Sequence, residues 1–339
     1  MKGRRLAFTG VRQSSWEEFE LPDAPGAHEV LVETRWSAVS AGTETAIYAG
    51  THIGFSTPGA AYPRFPHYPG YAAVGTVLAA GDAVRDLAPG QAVCLPGPHS
   101  SHVVWDTRRP PLAPLPAGLA PDLAALARLA TISLNGVRLG RVALGDAVAV
   151  LGGGLIGQFA AQFARLSGGR PVVLADLLPD RLRAARQCGL QTTVDAAGED
   201  LPAAVRALTG GRGFAVVVEA TGAPAAVAQA LTLAADSGRV VLLGSPRGRV
   251  EIDPYHHIHR PGVTLVGAHE RTTPAAETVH SSWTQQRNFE FILDLLAQGE
   301  LVAEPLVSHR LPAARAPALF EGLVERPADY LGVLLDWRA

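Results

Sequence analysis

The pattern of apolar and polar residues changes near Pro121. Between residues 30 and 104 the apolar residues come in short segments rich in β-branched side chains, and Gly and Pro separate these segments. Short strands bounded by turn residues are typical of a small β-barrel. Within this part, residues 51–69 are rich in Gly, Pro and aromatic residues and have no period. Long loops of this kind are functional or disordered, and the Tyr, Phe and His residues here favour a substrate loop.

Beyond Pro121 the spacing becomes helical over residues 123–139, and strands and helices then alternate to about residue 267. Such alternation predicts parallel strands joined by crossover helices. The predicted strands are residues 147–151, 171–175, 215–219, 239–243 and 264–266. A helix over residues 288–298 leads to a last apolar strand, residues 330–335, whose distance along the chain leaves open whether it joins the first sheet. The expected fold class is α/β, with a β-barrel domain and a doubly wound parallel sheet.

Composition and charge narrow the possible partners. A chain of 339 residues is expected to form two cores, since single cores rarely grow beyond about 250 residues. Its 47% of hydrophobic and 18% of charged residues are typical of globular proteins. A formal charge of −2 gives no broad electrostatic footprint for nucleic acid or an anionic membrane. We therefore expect a small-molecule partner.

The cysteine content bears on the compartment. Cys94 and Cys188 are the two cysteines of the sequence, too few for a disulfide framework or a four-cysteine zinc lobe, and they favour a reducing environment. The first ten residues lack the apolar core of a secretory signal, and no apolar run reaches the roughly 18 residues of a membrane span. A cytoplasmic protein is expected.

A Gly-x-Gly-x-x-Gly motif follows the first predicted strand of the parallel sheet and opens a helical run. Gly152 permits the tight turn, Gly154 lets the backbone approach a pyrophosphate, and Gly157 lets helix and strand pack closely. The helix N-terminus presents backbone N–H groups to the phosphates. The sequence therefore predicts a dinucleotide phosphate site at Gly152, Gly154, Leu155, Ile156 and Gly157.

An acidic residue ends the next predicted strand. Asp176 lies about 20 residues beyond the last glycine, where a carboxylate accepts hydrogen bonds from both ribose hydroxyls and repels a 2′-phosphate. NAD rather than NADP is therefore expected. Alternatively Asp176 caps the helix that starts near Pro179, although Asp180 could do so instead. Arg181 either packs against the adenosine or counters a phosphate, which would weaken the preference for NAD.

Small residues follow the later strands of the same sheet. In doubly wound folds, ligands bind at the carboxyl edge of the sheet, so these residues extend the predicted cofactor site along that edge. They are Thr221, Gly222, Gly244, Ser245 and Ala268.

The order of barrel, glycine motif and acidic residue, with a return to the first domain, resembles the medium-chain dehydrogenase/reductase superfamily over nearly the whole chain. The segments that carry this resemblance are residues 41–44, 69–75, 90–93 and 152–157. The resemblance implies a GroES-like β-barrel catalytic domain and a Rossmann cofactor domain. The implied borders are residues 1–122 with 272–339 for the catalytic domain, and 123–271 for the cofactor domain.

The resemblance also bears on the metal. In the zinc alcohol dehydrogenases the first segment looks like Cys-Gly-Thr-Asp and the second like Gly-His-Glu, and the Cys and His bind the catalytic zinc. Here Ala41, Tyr71 and Ala72 hold the Cys, His and Glu positions, so no catalytic zinc is expected. The chain is most similar to the zinc-lacking branch that includes bacteriochlorophyllide a dehydrogenase, which oxidises a secondary hydroxyethyl group. A separate site at His256, His257 and His259 is disfavoured, because so tight a run seldom points at one centre.

Without a metal, side chains have to stabilise the alkoxide and move its proton. Tyr71, at a metal-ligand position, is the first candidate, although it could simply fill the space as a packed aromatic. Thr43 corresponds to the hydroxyl residue that touches the substrate oxygen in the zinc enzymes, and Glu44 follows it; both could instead cap a helix that starts near Thr45. His269 is expected near the nicotinamide and titrates in the range of acid/base catalysis.

Two further aromatic residues, His67 and Trp283, are expected to form walls of the substrate cleft, with exposed loop positions as the alternative. The expected activity is hydride transfer between NAD(H) and a secondary alcohol or ketone of a polyol, cyclitol, glycoside or other natural product. One alternative is an enoyl or quinone reductase that uses NADPH. Another is a dinucleotide-binding protein with little catalysis. Relatives are often dimers or tetramers formed through the cofactor domain, and the resemblance implies a homodimer here.

Overall fold

The structure is a computed structural model that describes residues 2–198, 200–279 and 281–338, without the side chains of residues 205 and 206. The chain forms two compact units. The barrel unit consists of Met1–Arg128 and Pro274–Ala339, and the Rossmann unit of Leu129–Thr273. The chain thus passes between the units a few residues beyond the borders that the resemblance implies.

Strands predominate up to residue 114, and helices and strands alternate from residue 127 to residue 242. The strands are β1 Lys2–Gly10, β2 Gln13–Glu20, β3 Glu29–Ala38, β4 Ala73–Ala80, β5 Ala92–Leu95, β6 His102–Asp106, β7 Ala113–Pro114, β8 Val148–Leu151, β9 Val172–Asp176, β10 Thr192–Asp195, β11 Phe214–Glu219, β12 Ala234–Leu242, β13 Thr264–Gly267, β14 Val307–Pro312 and β15 Gly332–Asp336. The helices are α1 Thr43–Tyr48, α2 Ile53–Ser56, α3 Pro121–Ala124, α4 Ala127–Gly140, α5 Leu155–Leu166, α6 Pro179–Gln187, α7 Leu201–Thr209, α8 Pro224–Leu233, α9 Gln285–Ala297 and α10 Ala316–Glu325.

A seven-stranded sheet forms the centre of the barrel unit. Its strands follow the order β14-β15-β3-β4-β5-β7, and β6 also pairs with β3. The last strand, β15, runs antiparallel to β3, so the apolar segment at the end of the chain does join the first sheet. Strands β1 and β2 form a separate antiparallel pair.

The Rossmann unit contains a six-stranded sheet in the order β10-β9-β8-β11-β12-β13. Every neighbouring pair is parallel, and helices connect most successive strands. β8 and β9 are buried along their whole length, as expected for the centre of a sheet covered on both faces. The predicted α/β fold class is confirmed, with all five predicted parallel strands in place.

Two helix predictions need correction. Residues 123–139 do not form one helix, because α3 ends at Ala124 and α4 begins at Ala127. The apolar stripe runs through both helices, so the spacing alone does not reveal the break. The late helix α9 begins at Gln285, three residues before the predicted start, where Thr284 accepts the Arg287 N–H as an N-cap.

A buried aromatic cluster fixes α1, the helix that carries two of the predicted catalytic residues. Phe8 on β1, Ile47 on α1 and Phe320 on α10 have no exposed surface and belong to one cluster. The Phe8 and Phe320 rings meet edge to face, with centroids 4.8 Å apart. Among the residues that the structure describes, no helix combines the length and the apolar character needed to cross a membrane.

Candidate functional site

The glycine turn after β8 has the geometry of an anion cradle. Gly152 has a φ of +98°, which side chains other than glycine rarely adopt. A Cβ on Gly157 would lie 1.8 Å from the Gly152 carbonyl oxygen, whereas a Cβ on Gly154 would meet nothing within 4 Å. Helix α5 begins at Leu155 without a side-chain cap, so the N–H groups of Leu155 and Ile156 lie in its uncapped first turn. This turn can hold a pyrophosphate.

Asp176 is fixed at the end of β9 and is 7% exposed. One carboxylate oxygen accepts the Gly153 N–H at 2.6 Å, and the other accepts the Leu178 N–H at 2.8 Å. Arg181 lies 3.5 Å from the first of these oxygens. Neither Asp176 nor Asp180 is the N-cap of α6, because that position is held by Leu178, which makes no side-chain cap bond; Asp176 only accepts the N–H of Leu178 just before the helix begins.

The loops after β11 and β12 pack against each other. Glu219, which has no exposed surface, accepts the N–H groups of Thr221 at 2.7 Å and Gly222 at 3.0 Å, and also bonds the Thr221 hydroxyl. A Cβ on Gly222 would lie 2.3 Å from the Ser245 carbonyl oxygen, and one on Gly244 would lie 2.3 Å from the Gly222 nitrogen. The predicted residues of this edge therefore form one tightly packed backbone surface.

Ala268 and His269 follow β13. Ala268 is buried and donates its N–H to Leu242, whereas His269 is exposed. The His269 carbonyl accepts the Thr272 hydroxyl at 2.8 Å, and its Nδ1 accepts the Arg271 N–H at 3.2 Å. The first bond holds the His269 backbone, and the second occupies Nδ1 of the ring.

The barrel unit brings Tyr71 and Ser40 together. The Tyr71 phenol donates to Ser40 Oγ at 2.5 Å, and the Ser40 N–H donates to Glu44 at 3.2 Å. Thr43 is the first residue of α1 and is partly exposed. The alternative that Thr43 and Glu44 cap a helix starting near Thr45 is wrong, because α1 starts at Thr43 without a side-chain cap.

Glu44 belongs to a buried chain of hydrogen bonds. It is 1% exposed and lies 2.9 Å from Nε2 of His99, which has no exposed surface. The other His99 nitrogen lies 2.8 Å from Ser37 Oγ, which also accepts the Trp337 indole N–H at 2.9 Å. Glu44 is therefore enclosed, with its carboxylate oxygens bonded to the Ser40 N–H and to His99; its catalytic role stays a prediction.

His67 lies in the loop predicted to contact substrate, near enough to Glu44 for the two charges to interact. Its backbone pairs with Phe8 at 2.7 and 2.9 Å. Its ring meets Tyr62 edge to face at 5.6 Å, and Tyr62 meets His52 in the same way at 5.6 Å. Burial lowers the pKa of His67, the Glu44 carboxylate opposes this effect, and His52 adds to it. Burial of the partly buried His67 ring therefore favours its neutral form.

Trp283 precedes α9 and is partly buried. Its ring lies 5.5 Å from that of Phe291, and the Arg287 guanidinium lies 4.9 Å from the Trp283 ring centre. Phe291 and Arg287 thus contact the Trp283 ring, and its role as a wall of the substrate cleft stays a prediction.

Three residues stand at the positions where the resemblance implies zinc ligands, and their side chains do not fit a zinc ion. Ala41 and Ala72 carry no donor atom, and the Tyr71 phenol bonds to Ser40. Zinc sites use Cys, His or carboxylate donors in sets of three or four. Across residues 2–198, 200–279 and 281–338, no three such side chains are grouped so that they could hold a metal.

Three residues of this site escaped the sequence analysis. Ser40 directly precedes residues 41–44, which carry part of the family resemblance, and this position is the signal that could have identified it. His99 and Ser37 carry no local signal, because contacts between residues 62 positions apart depend on the closure of the barrel.

Comparison with known proteins agrees with this architecture. Residues 26–106 match the alcohol dehydrogenase GroES-like domain family, and residues 156–286 match the zinc-binding dehydrogenase family. D-guloside 3-dehydrogenase of Shigella flexneri is 27% identical over 95% of this chain and 96% of its own. L-galactonate-5-dehydrogenase of Escherichia coli (strain K12) is 28% identical over 90% of this chain and 91% of its own.

A solved structure described as a zinc-binding dehydrogenase of Sinorhizobium meliloti 1021 bound to NADP shares the fold. It covers 99% of both chains with a TM-score of 0.82 and 24% identity. The first family match lies within the barrel unit, and the second covers most of the Rossmann unit. The chain therefore belongs to the medium-chain dehydrogenase/reductase superfamily, as an oxidoreductase of the alcohol dehydrogenase type.

Proposed function

We propose that this chain is a zinc-independent dehydrogenase, of the zinc-lacking branch, that transfers a hydride between NAD(H) and a secondary alcohol or ketone. The observation that carries the proposal is the hydrogen bond from the Tyr71 phenol to Ser40 at 2.5 Å, at a position where the resemblance implies a zinc ligand. The other two such positions hold Ala41 and Ala72, which cannot bind a metal. A phenol can exchange the proton that a metal would otherwise help to release.

Tyr71 is the group proposed to move the proton. In the oxidation direction its Oη accepts the proton of the substrate hydroxyl, and Ser40 Oγ stabilises the phenolate by reversing its hydrogen bond. When bound, the dinucleotide supplies the ring that accepts the hydride. Thr43, partly exposed at the start of α1, orients the substrate oxygen. His269 stays the second candidate for the proton transfer, through its Nε2.

Asp176 supports NAD over NADP. Both of its oxygens are held by backbone N–H groups, so the carboxylate stays where a 2′-phosphate would meet it. Arg181 offsets part of this repulsion from 3.5 Å. The NADP in the Sinorhizobium structure belongs to a protein that is 24% identical, and that likeness extends to the fold alone.

Fluorescence titration tests the cofactor preference. Wild type should bind NADH more tightly than NADPH, and Asp176→Ser should weaken NADH binding about tenfold, a loss of about 1.4 kcal/mol. Asp180→Ser is the matched control, because this nearby carboxylate is 80% exposed and pairs with Arg183. Tighter binding of NADPH by the wild type would contradict the preference.

The loop that contains His67 supports a polyol, cyclitol or glycoside as substrate. Its Tyr62 ring is 52% exposed and is held by His52 and His67, so it offers a rigid aromatic face to the C–H side of a sugar ring. The named relatives D-guloside 3-dehydrogenase and L-galactonate-5-dehydrogenase act on sugar derivatives of this class, as their names state. Trp283 is proposed as a second wall of the same substrate site.

Tyr71→Phe tests the catalytic proposal. The variant should lose about 10²–10⁴ in kcat on an accepted substrate and should keep the wild-type Kd for NADH. Tyr255→Phe is the control, because Tyr255 is 57% exposed in the other unit. An unchanged kcat in Tyr71→Phe would refute the assignment.

Elemental analysis tests the metal-free half of the proposal. Activity should survive dialysis against a chelator that removes zinc. Stoichiometric zinc whose removal abolishes activity would contradict zinc independence. Faster NADPH-driven reduction of quinones or enones than of ketones would instead indicate the reductase, and NADH binding without turnover on a broad panel would indicate a binding protein.

The proposal includes a homodimer in the cytoplasm. Strand β13 is the last strand of the six-stranded sheet, and its Leu265 is 37% exposed. Such an edge can pair with the same strand of a second copy. Both cysteines are buried and neither is part of a disulfide, which is compatible with a reducing compartment. Light scattering should give a dimer mass, and Leu265→Lys should lower that mass to the monomer.

A further inference from the structure

A cation lies beside the ring of Tyr71. Arg128 is the second residue of α4 and is partly buried. Its guanidinium carbon lies 5.6 Å from the centre of the Tyr71 ring, within the range of a cation–π contact. An arginine keeps its proton throughout the pH range in which enzymes work. Tyr71 therefore has a permanent positive charge beside its ring and the Ser40 hydroxyl at its oxygen.

This arrangement acts on the charge of the phenol. A nearby cation favours the anionic form of an acid, and so does a hydroxyl that can donate to it; in a phenolate part of the negative charge lies on the ring that Arg128 contacts. Glu44 on α1 acts in the opposite direction, from its bond to the Ser40 N–H. The other carboxylate oxygen of Glu44 lies 2.9 Å from His99 Nε2. This second hydrogen bond weakens the effect of the Glu44 charge on Ser40.

We infer that Arg128 is a positioning residue that stabilises the phenolate of Tyr71 and so sets the pH range in which Tyr71 takes the substrate proton. The inference rests on the proposed function, since it takes Tyr71 as the proton acceptor. In oxidation the substrate hydroxyl proton moves to Tyr71 Oη, and two electrons leave the carbinol carbon with the hydride that the cofactor accepts. Arg128 keeps its proton, so the charge on the pair rises by one as the phenolate is neutralised.

The pH profile of alcohol oxidation tests the inference. The profile should rise with pH as the phenolate forms. Arg128→Met, which keeps the length of the side chain and removes the charge, should move this rise upward by about one pH unit and lower kcat about tenfold below it. Arg128→Lys keeps the charge and should restore most of the wild-type profile. A purely structural role of Arg128 would lower activity equally at every pH.

Near-ultraviolet absorbance gives a readout that does not depend on turnover. The phenolate signal of Tyr71 is the difference between a protein and its Tyr71→Phe version. This difference signal should appear at higher pH on the Arg128→Met background than on the wild-type background. An identical pH dependence on both backgrounds would overturn the inference. If Arg128→Met does not fold, Arg128→Gln takes its place in both measurements.

The two proposals fail in different ways. Full activity of Tyr71→Phe would refute the proposed function, and the absorbance difference would still show whether Arg128 stabilises the Tyr71 phenolate. Conversely, a large loss of kcat in Tyr71→Phe, together with an absorbance titration that Arg128→Met does not move, would sustain the proposed function and overturn the role of Arg128.

Discussion

The glycine turn after β8 allows steric effects on folding to be separated from effects on cofactor binding. In Gly157→Ala, the new Cβ would lie 1.8 Å from the Gly152 carbonyl oxygen. A carbon and a carbonyl oxygen in contact are about 3.3 Å apart, so α5 and the turn would have to separate by about 1.5 Å. Overpacking of this kind costs about 1–3 kcal/mol. Because 1 kcal/mol shifts Tm by about 2–4 °C in a domain of this size class, we expect Tm to fall by about 2–12 °C.

Gly154→Ala is the matched control on the same turn. Gly154 has a φ of −64° and a ψ of 173°, which alanine adopts without strain, and its Cβ would meet nothing within 4 Å. Alanine is a poorer N-cap than glycine, but it also lowers the conformational entropy of the unfolded chain. Because these effects oppose each other, the free energy of unfolding should change by no more than about 0.5 kcal/mol. The methyl group would, however, occupy the space that a pyrophosphate needs. We expect NADH binding to weaken at least about tenfold, a loss of about 1.4 kcal/mol.

Thermal unfolding and calorimetric titration with NADH distinguish the two variants. Gly157→Ala should lose both stability and cofactor affinity, since the displaced helix moves its N–H groups away from the phosphates. Gly154→Ala should lose affinity alone. Wild-type NADH affinity in Gly154→Ala would refute the placement of the pyrophosphate, and a wild-type Tm in Gly157→Ala would refute the packing argument.

Three further outcomes are expected. Glu44→Ala should lower the free energy of unfolding in urea by about 1–3 kcal/mol, because it leaves the His99 ring buried without one partner; Glu44→Gln should lose less, and equal losses would contradict the role of the pair. Burial lowers the pKa of His67 in the folded protein, whereas in the unfolded chain the His67 pKa is about 6.5. The unfolded chain therefore binds more protons, and the free energy of unfolding should fall as the pH drops through about 6.5. His67→Gln should reduce this fall, and an unchanged pH dependence would contradict the argument. Burial raises the pKa of Cys188 to about 12 and also raises that of Cys94, so a thiol reagent should label the native protein at least about 10²-fold more slowly than the urea-unfolded chain, and rapid native labelling would refute their burial.

The parallel sheet could be predicted from the sequence because its information is local. Each strand is a short apolar run between turn residues, and each lies next to a helical run. There were two exceptions: strand β10, which was not among the five predicted strands, and the helix over residues 123–139. Residues Ala125 and Leu126 separate α3 from α4, yet both are apolar and buried, so they continue the helical stripe. A two-residue break that leaves the pattern of burial unchanged leaves no trace in the periodicity.

The candidate site divides in the same way. Gly152 and Asp176 were identified because the dinucleotide fingerprint fixes their spacing along the chain. His99 and Arg128 were not, because His99 bonds a residue 55 positions away and Arg128 contacts Tyr71 through the fold of the barrel unit. No spacing rule covers such pairs. Their partners become known only when the strands and helices are placed in space.

The two halves of the candidate site also rest on different physical terms. In the Rossmann unit the cofactor site is made of backbone, so it depends on which positions have room for a Cβ. In the barrel unit Ser37, His99 and Glu44 form a buried chain in which each member has a partner, and a buried network with one member missing is worse than none. Through the bond from the Ser40 N–H to Glu44, this hydrogen-bonded network holds Ser40 where its hydroxyl accepts the Tyr71 phenol. Replacing Tyr71 by histidine would therefore not recreate a metal site, because two further donors would be lacking and the bond to Ser40 would be lost. A metal site would require both new ligands and the loss of the hydrogen bonds around Ser40. The Tyr71 phenol is therefore tied to the buried network of the barrel unit.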